Sequence, residues 1–172
     1  TKSIVVNVNL LKLFNQQSFD EATNFGEKAD ILRYEILYTF GGVYADTDTK
    51  CFNSLDILNL SYDFFACLYA GEFLYVCNAI IGSTAKHDVL KHCITDMGKY
   101  CKYNLSSDLD NWWKTVLHTV TKTGPVHLTK VIENSADFFD RPNIIFPSSF
   151  FYPDSQKTES FAIHYWEGTW NH

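Results

Sequence analysis

The sequence has no run of lysine and arginine, no CxxC pair, no internal repeat and no stretch of about 20 apolar residues. Each absence removes a class of protein. Without clustered positive charge, and with a formal net charge of −6, the chain lacks the concentrated basic face that nucleic-acid phosphates require. Without a long apolar run there is no transmembrane helix. The opening Thr1-Lys2-Ser3-Ile4-Val5-Val6 is too short in apolar residues for a secretory leader. Without CxxC, a zinc ribbon or a thioredoxin-like site is excluded. The five cysteines (Cys51, Cys67, Cys77, Cys93 and Cys101) are odd in number, and several sit in apolar surroundings such as Phe65-Ala66-Cys67-Leu68. They read as reduced core residues and point to a reducing compartment.

What is present belongs to an ordered globular domain. Of the 172 residues, 46% are apolar and 16% aromatic, enough for one core and too few for two comfortable domains. The chain is therefore expected to form one domain over residues 1–172. Ile4 to Leu13 mixes alternation with helix formers and reads as a strand entering a turn. Glu21 to Phe40 reads as a helix with an apolar stripe of Ala29, Leu32, Ile36 and Phe40, stopped by Gly41-Gly42. Val43-Tyr44-Ala45 follows as a short buried strand. Asp63 to Tyr69 and Asn78 to Gly82 suggest a hairpin around Gly71-Glu72. His87 to Tyr103 and Asp108 to Thr121 are amphipathic helices, and Pro125 begins another through Ile132. Ile144 to Phe146 and Ser160 to Tyr165 are late strands. Helices alternating with short strands, one pair of them a hairpin, predict an α/β domain with a mixed sheet.

Chemistry concentrates around the double glycine. Asp30 and Arg33, at i and i+3, share one side of the helix with Tyr34 and Leu37, beside the apolar stripe. Alone they make an ordinary intrahelical ion pair, worth about a few tenths of a kcal/mol. Beyond the glycines the strand delivers Asp46 and Asp48. In extended backbone, residues two apart point the same way. Two carboxylates aimed together repel unless a cation joins them, and hard oxygen donors select Mg²⁺ or Mn²⁺. A bare Asp-x-Asp is common by chance; the composite with the helix and glycines is not.

That composite, Ala29-Asp30-Ile31-Leu32-Arg33-Tyr34 followed by Gly41-Gly42-Val43-Tyr44-Ala45-Asp46-Thr47-Asp48, closely resembles the DXD sugar-binding region of glycosyltransferase family 32. The same pattern occurs in the large clostridial glucosylating toxins. The resemblance covers roughly Phe25 to Leu58. Asn78-Ala79-Ile80-Ile81-Gly82-Ser83, Thr123-Gly124-Pro125, His164-Tyr165-Trp166 and Thr169-Trp170 look like later elements of that family. Lys28-Ala29-Asp30 departs from it, having Ala where family members usually have Ser.

The resemblance implies a GT-A type fold, a Rossmann-like mixed sheet flanked by helices. It also implies a metal-dependent, retaining transfer of a hexose from a nucleoside-diphosphate sugar, a UDP-hexose or GDP-mannose, to a glycan, lipid or protein acceptor. Carried over by position, Asp30 and Arg33 hold hydroxyls of the donor sugar, with Tyr34 beside them. Asp46 contacts ribose and sugar, and Asp48 binds Mn²⁺ (or Mg²⁺). His164 completes the metal shell or meets the diphosphate, Asn78 touches donor or acceptor, and Thr169 and Trp170 lie over the leaving phosphate. Asp46, Asp48 and Arg33 are the catalytic set. Family members carry a further N-terminal segment that cradles the base, whereas only about two dozen residues precede the helix here. The fold is therefore trimmed, or the chain is a fragment. A soluble domain, cytoplasmic or part of a secreted effector, is the expected setting, or the Golgi lumen if an anchor lies outside the chain.

Two alternatives stay open at this point. A sugar- or nucleotide-binding domain without turnover would share the motif. A haloacid dehalogenase-type phosphatase also uses Asp-x-Asp, but wants Thr or Val two residues later, where Lys50 stands.

Overall fold

The computed structural model describes residues 7–71, 74–101, 110–155 and 157–167. Its organising element is the long helix α2 (Phe25–Phe40), preceded by a short helix α1 (Gln16–Glu21). The helix expected from Glu21 is thus two helices. Ala22 takes an extended conformation between them, and Asn24 caps α2 by accepting a hydrogen bond from the Glu27 N–H. Residues 8–10 form a 3₁₀ turn where a strand was expected, and Ile4 to Val6 lie outside the described residues.

The buried face of α2 also differs from expectation. Ile31, Tyr34 and Leu37 are buried together with Asp30 and Arg33, while Leu32 and Ile36 are only half-buried and Phe40 is 67% exposed. The apolar stripe faces partly outward. The charged stripe can face inward because its members satisfy one another, as described below.

Gly41 ends α2 at φ 68°, and a Cβ there would lie 2.8 Å from the Ala85 backbone nitrogen. Only glycine fits both restrictions. The chain then enters β1 (Gly42–Ala45), β2 (Thr49–Cys51) and a short helix α3 (Asp56–Ser61). A hairpin, β3 (Phe64–Ala70) and β4 (Leu74–Ser83), follows. Next come α4 (Asp88–Thr95), α5 (Asn111–Lys122), α6 (Pro125–Glu133), β5 (Asn143–Phe146) and β6 (Ala162–His164). The helix expected through Tyr103 stops at Thr95, where Asp96 caps it and Gly98 takes φ 75°; residues 102–109 lie outside the described residues. Pro125 opens α6 as expected.

Among the described residues the main sheet has the order β1-β4-β3-β5, with β3 and β5 parallel and the other pairs antiparallel. This is the mixed sheet the hairpin predicted. β1 is an edge strand with alternating half-buried and exposed residues, not the buried strand its apolar composition suggested. Helices α2, α4 and α6 cover one face, packing Tyr34, Leu37, Leu90 and Leu128 against Phe64, Ala66 and Ile81. The other face packs Phe65, Cys67, Cys77 and Ile80 under Leu58, Phe146 and Phe151. All five cysteines are free thiols, and Cys67, Cys77 and Cys93 are buried.

Two irregularities position the site. The β3–β4 register slips between Phe65 and Cys67, whose partners are Gly82 and Cys77. The intervening stretch of β4 therefore leaves its ladder with β3, as bulges beside functional sites do, while Ile80 and Ile81 stay paired to β1. β2 also abandons the main sheet to form a separate two-stranded ribbon with β6, pairing Thr49 with His164.

Candidate functional site

Where β4 slips, the Asn78 carbonyl accepts a hydrogen bond from Arg33 Nη1, 2.5 Å away, in place of a strand partner. The Asn78 amide donates to Asp30 Oδ1 at 2.8 Å, and the Thr123 hydroxyl donates to Asp30 Oδ2 at 2.9 Å. Arg33 Nη2 lies 3.1 Å from Asp30 Oδ1 and 3.2 Å from Asp46 Oδ1. Tyr44 lays its ring against the Arg33 guanidinium, 4.4 Å from centroid to Cζ, and donates its hydroxyl to Asp46 Oδ1 at 2.7 Å. Tyr34 stands behind this network, fully buried, donating to the Thr123 carbonyl at 2.8 Å.

Burial pushes the Asp30 carboxyl up to about 6, although Arg33, Thr123 and Asn78 all favour its ionised form. For Arg33, burial opposes the charge, but Asp30 and Asp46 outweigh it and hold the guanidinium above its usual range. Burial likewise raises the Tyr44 phenol, so its proton stays in place to reach Asp46.

Asp46 and Asp48 occupy a tight turn between β1 and β2, not extended backbone; the Thr49 N–H donates to the Asp46 carbonyl at 3.1 Å. Their convergence comes from this turn and from the ribbon. By pairing with β2, β6 brings His164 Nε2 to 2.9 Å from Asp48 Oδ1 and 3.6 Å from Asp46 Oδ2. One ligand atom from each of the three residues lies within 4.8 Å of the others. The donor set, two carboxylates and one imidazole, fits a hard divalent ion such as Mn²⁺ or Mg²⁺. The local charge fits too, since Asp30 and Asp46 share a single guanidinium, that of Arg33, and Asp48 pairs with His164. His164 Nδ1 is buried with no hydrogen-bond partner.

The segment after β6 is tied to the same aspartate. The Tyr165 N–H donates to the Asp48 carbonyl at 3.0 Å, and the Glu167 N–H donates to Asp48 Oδ2 at 2.9 Å. Between these two amides Trp166 is held at φ 57°. Arg33, Tyr44, Asp46 and Asp48 border a cleft of about 450 Å³ that reaches from Phe25, Gly26 and Ala29 of α2, past Asp30 and Asn78, to His164 and Trp166.

Of the residues singled out in the sequence, Asp30, Arg33, Asp46, Asp48, Asn78 and His164 all border this cleft, whereas Tyr34 does not. Thr169 and Trp170 lie outside the described residues. Sequence reasoning missed Thr123, read only as a residue before a helix-breaking Gly-Pro. It also missed the roles of Tyr44 and Trp166. No spacing rule points to Thr123, because it meets Asp30 from 93 residues away.

Residues 3–65 match the family described as the glycosyltransferase sugar-binding region containing a DXD motif. This part of the chain therefore carries that region, with Asp46-Thr47-Asp48 as its motif. Among individual relatives, an uncharacterized glycosyltransferase of Acanthamoeba polyphaga mimivirus is 30% identical over 122 residues, covering 67% of this chain and 48% of that protein. A mannosyl phosphorylinositol ceramide synthase of Saccharomyces cerevisiae is 32% identical over 105 residues, covering 61% of this chain and 25% of its own. Inositol phosphoceramide mannosyltransferase 2 of Schizosaccharomyces pombe is 24% identical over 152 residues, covering 84% and 40%. The chain thus spans less than half the length of each of these relatives. Among solved structures, a chain titled PaToxG glycosyltransferase aligns at 20% identity with a TM-score of 0.48, covering 67% of this chain and 38% of that one.

Proposed function

We propose that this chain is a metal-dependent glycosyltransferase of the GT-A type. It moves a hexose from a nucleoside-diphosphate sugar to an acceptor, with retention of configuration. One observation carries the reading: Asp46, Asp48 and His164 converge at a cleft also bordered by the polar network of Asp30, Arg33 and Asn78.

Each part has a role suited to its chemistry. Asp48 and His164 would hold Mn²⁺ or Mg²⁺, with Asp46 beside them facing the ribose and sugar. When bound, the cation neutralises charge on the departing diphosphate. Asp30 and Asn78 present acceptor and donor atoms to sugar hydroxyls. Arg33, neutralised on two sides, fixes Asp30 and Asp46 in place and so preorganises the electrostatics around the anomeric carbon. No protein base is assigned, because in a retaining transfer of this kind the acceptor can attack on the leaving-group side. Thr169 and Trp170 complete the reading as donors to the leaving phosphate, an indole N–H being a donor only. The mannosyl transfer in the names of the fungal relatives favours GDP-mannose as donor, with UDP-hexoses as the other candidates. Among the described residues no helix is long and apolar enough to cross a membrane.

The test is release of diphosphate nucleotide from UDP- and GDP-sugars with Mn²⁺, for the native chain and for Asp48→Asn. Metal-dependent release should fall about 100-fold or more in the variant. Native protein that binds a donor and releases nothing is a binding domain without turnover. Asp48→Asn with near-native activity removes the metal role.

A further inference from the structure

Trp166 has a conformation and a setting that the donor site does not use. At φ 57° a bulky residue sits in left-handed backbone that side chains bearing a Cβ rarely adopt. The flanking amides of Tyr165 and Glu167 impose it, both donating to Asp48. The indole remains 46% exposed on the border of the cleft. Its ring lies 4.4 Å from His164, 4.9 Å from Tyr69 and 5.6 Å from Tyr152, measured between centroids. Tyr69 in turn lies 5.2 Å from Tyr75, which also borders the cleft. A continuous aromatic wall therefore runs from the metal-ligand triad to the start of β4.

Tyr69 and Tyr152, which back Trp166, also line a smaller pocket of about 180 Å³ with Ser148, Ser149, Asp154 and Lys157. The partly exposed indole thus has the large cleft on its border, and behind it a pocket rich in hydroxyl, carboxylate and ammonium groups.

A half-exposed aromatic face and a polar pocket favour a ring whose edges carry hydroxyls and whose face carries C–H bonds. The C–H hydrogens of such a ring bear slight positive charge and suit the negative face of an indole. Resting on the transferase reading above, we propose that Trp166, with Tyr75 and Tyr69, binds the acceptor as a six-membered polyol ring. The ring is a pyranoside or the cyclitol of a lipid head group, and the next polar unit lies in the smaller pocket. A serine or threonine side chain of a protein acceptor would leave this wall without a partner.

Saturation-transfer NMR on the whole chain with diamagnetic Mg²⁺ and GDP tests the idea. The probes are methyl α-mannopyranoside, an α-linked mannobiose, myo-inositol and a Ser/Thr peptide. At least one ring polyol should bind, with saturation on its C–H face, and the peptide should not. Pyranoside binding without inositol binding assigns a glycan acceptor; the reverse assigns a cyclitol head group. Trp166→Leu should weaken ring binding roughly tenfold, while Trp166→Phe, which keeps an aromatic face, should stay within about threefold of native. Binding of the peptide alone, of no ring polyol, or equal ring binding by the Leu and Phe variants would overturn the proposal. Donor binding is followed separately by thermal shift with UDP- and GDP-sugars. A chain that binds ring polyols but no nucleotide sugar defeats the transferase reading alone, and the converse defeats only the acceptor wall.

Discussion

Two groups of carboxylates border the same cleft and are treated in opposite ways. Asp30 lies inside, and both its oxygens are satisfied by Arg33, Asn78 and Thr123. Asp46 and Asp48 lie at a turn, partly exposed, with negative charge that one shared guanidinium and a histidine do not balance. The first group holds its geometry without a ligand, and the Asp30 oxygens keep lone pairs for sugar hydroxyls. The second is incomplete and is finished by a cation. The contrast separates residues that shape the site from residues that await something in it. Both kinds are acidic and carry the same signature in sequence.

The largest effect should come from breaking the inner group. Arg33→Met leaves Asp30 buried without its cation and should cost about 3–5 kcal/mol of stability, read as a fall in the chemical denaturation midpoint. Asp48→Asn keeps an acceptor for only one of the Glu167 N–H and His164 Nε2 but relieves carboxylate repulsion, so it should cost the metal-free protein no more than about 1 kcal/mol and should abolish stabilisation by Mn²⁺. Equal destabilisation by the two variants would erase the contrast.

A smaller effect sharpens it through pH. Burial holds the Asp30 carboxyl at about 6, above its ordinary 3.8, so the folded chain binds this proton more tightly than the unfolded chain. The resulting stability is fully present below the unfolded value and is lost as pH rises through about 6. Relative to Asp30→Asn, the native chain should lose stability between about pH 4 and 7, measured by urea denaturation across that range. A difference that does not change with pH would break the assignment. The smallest effect is expected at the start of α2, where Asn24 accepts from the Glu27 N–H and donates to Thr119 Oγ1. Asn24→Ala should cost about 1 kcal/mol in thermal denaturation.

The sequence made one half of this contrast easy to read. Gly41-Gly42, the Asp46-x-Asp48 spacing and the pair Asp30 and Arg33 are local features, and their physical consequences follow within a turn or two of chain. The burial of α2 was read wrongly because apolar periodicity assumes that charges face water. Here the charged stripe is buried, since Arg33, Asp30 and Asn78 meet one another's needs. The ribbon was half-hidden. Ser160 to Tyr165 read as a strand, but Thr49-Lys50-Cys51 has neither alternation nor length, and its strand exists through pairing with β6. Thr123 was invisible for a related reason, its contact being decided by the packing of α5 and α6 beside α2.

The ribbon has a consequence for the order in which the molecule is made. The Glu167 amide that grips Asp48 lies 119 residues along the chain from it, and closing so long a loop costs entropy before any contact rewards it. Synthesis delivers Asp48 well before Glu167, so the motif stays unfinished until the segment after β6 has docked. No local stretch of chain can build the triad alone, and its formation reports that β2 and β6 have met.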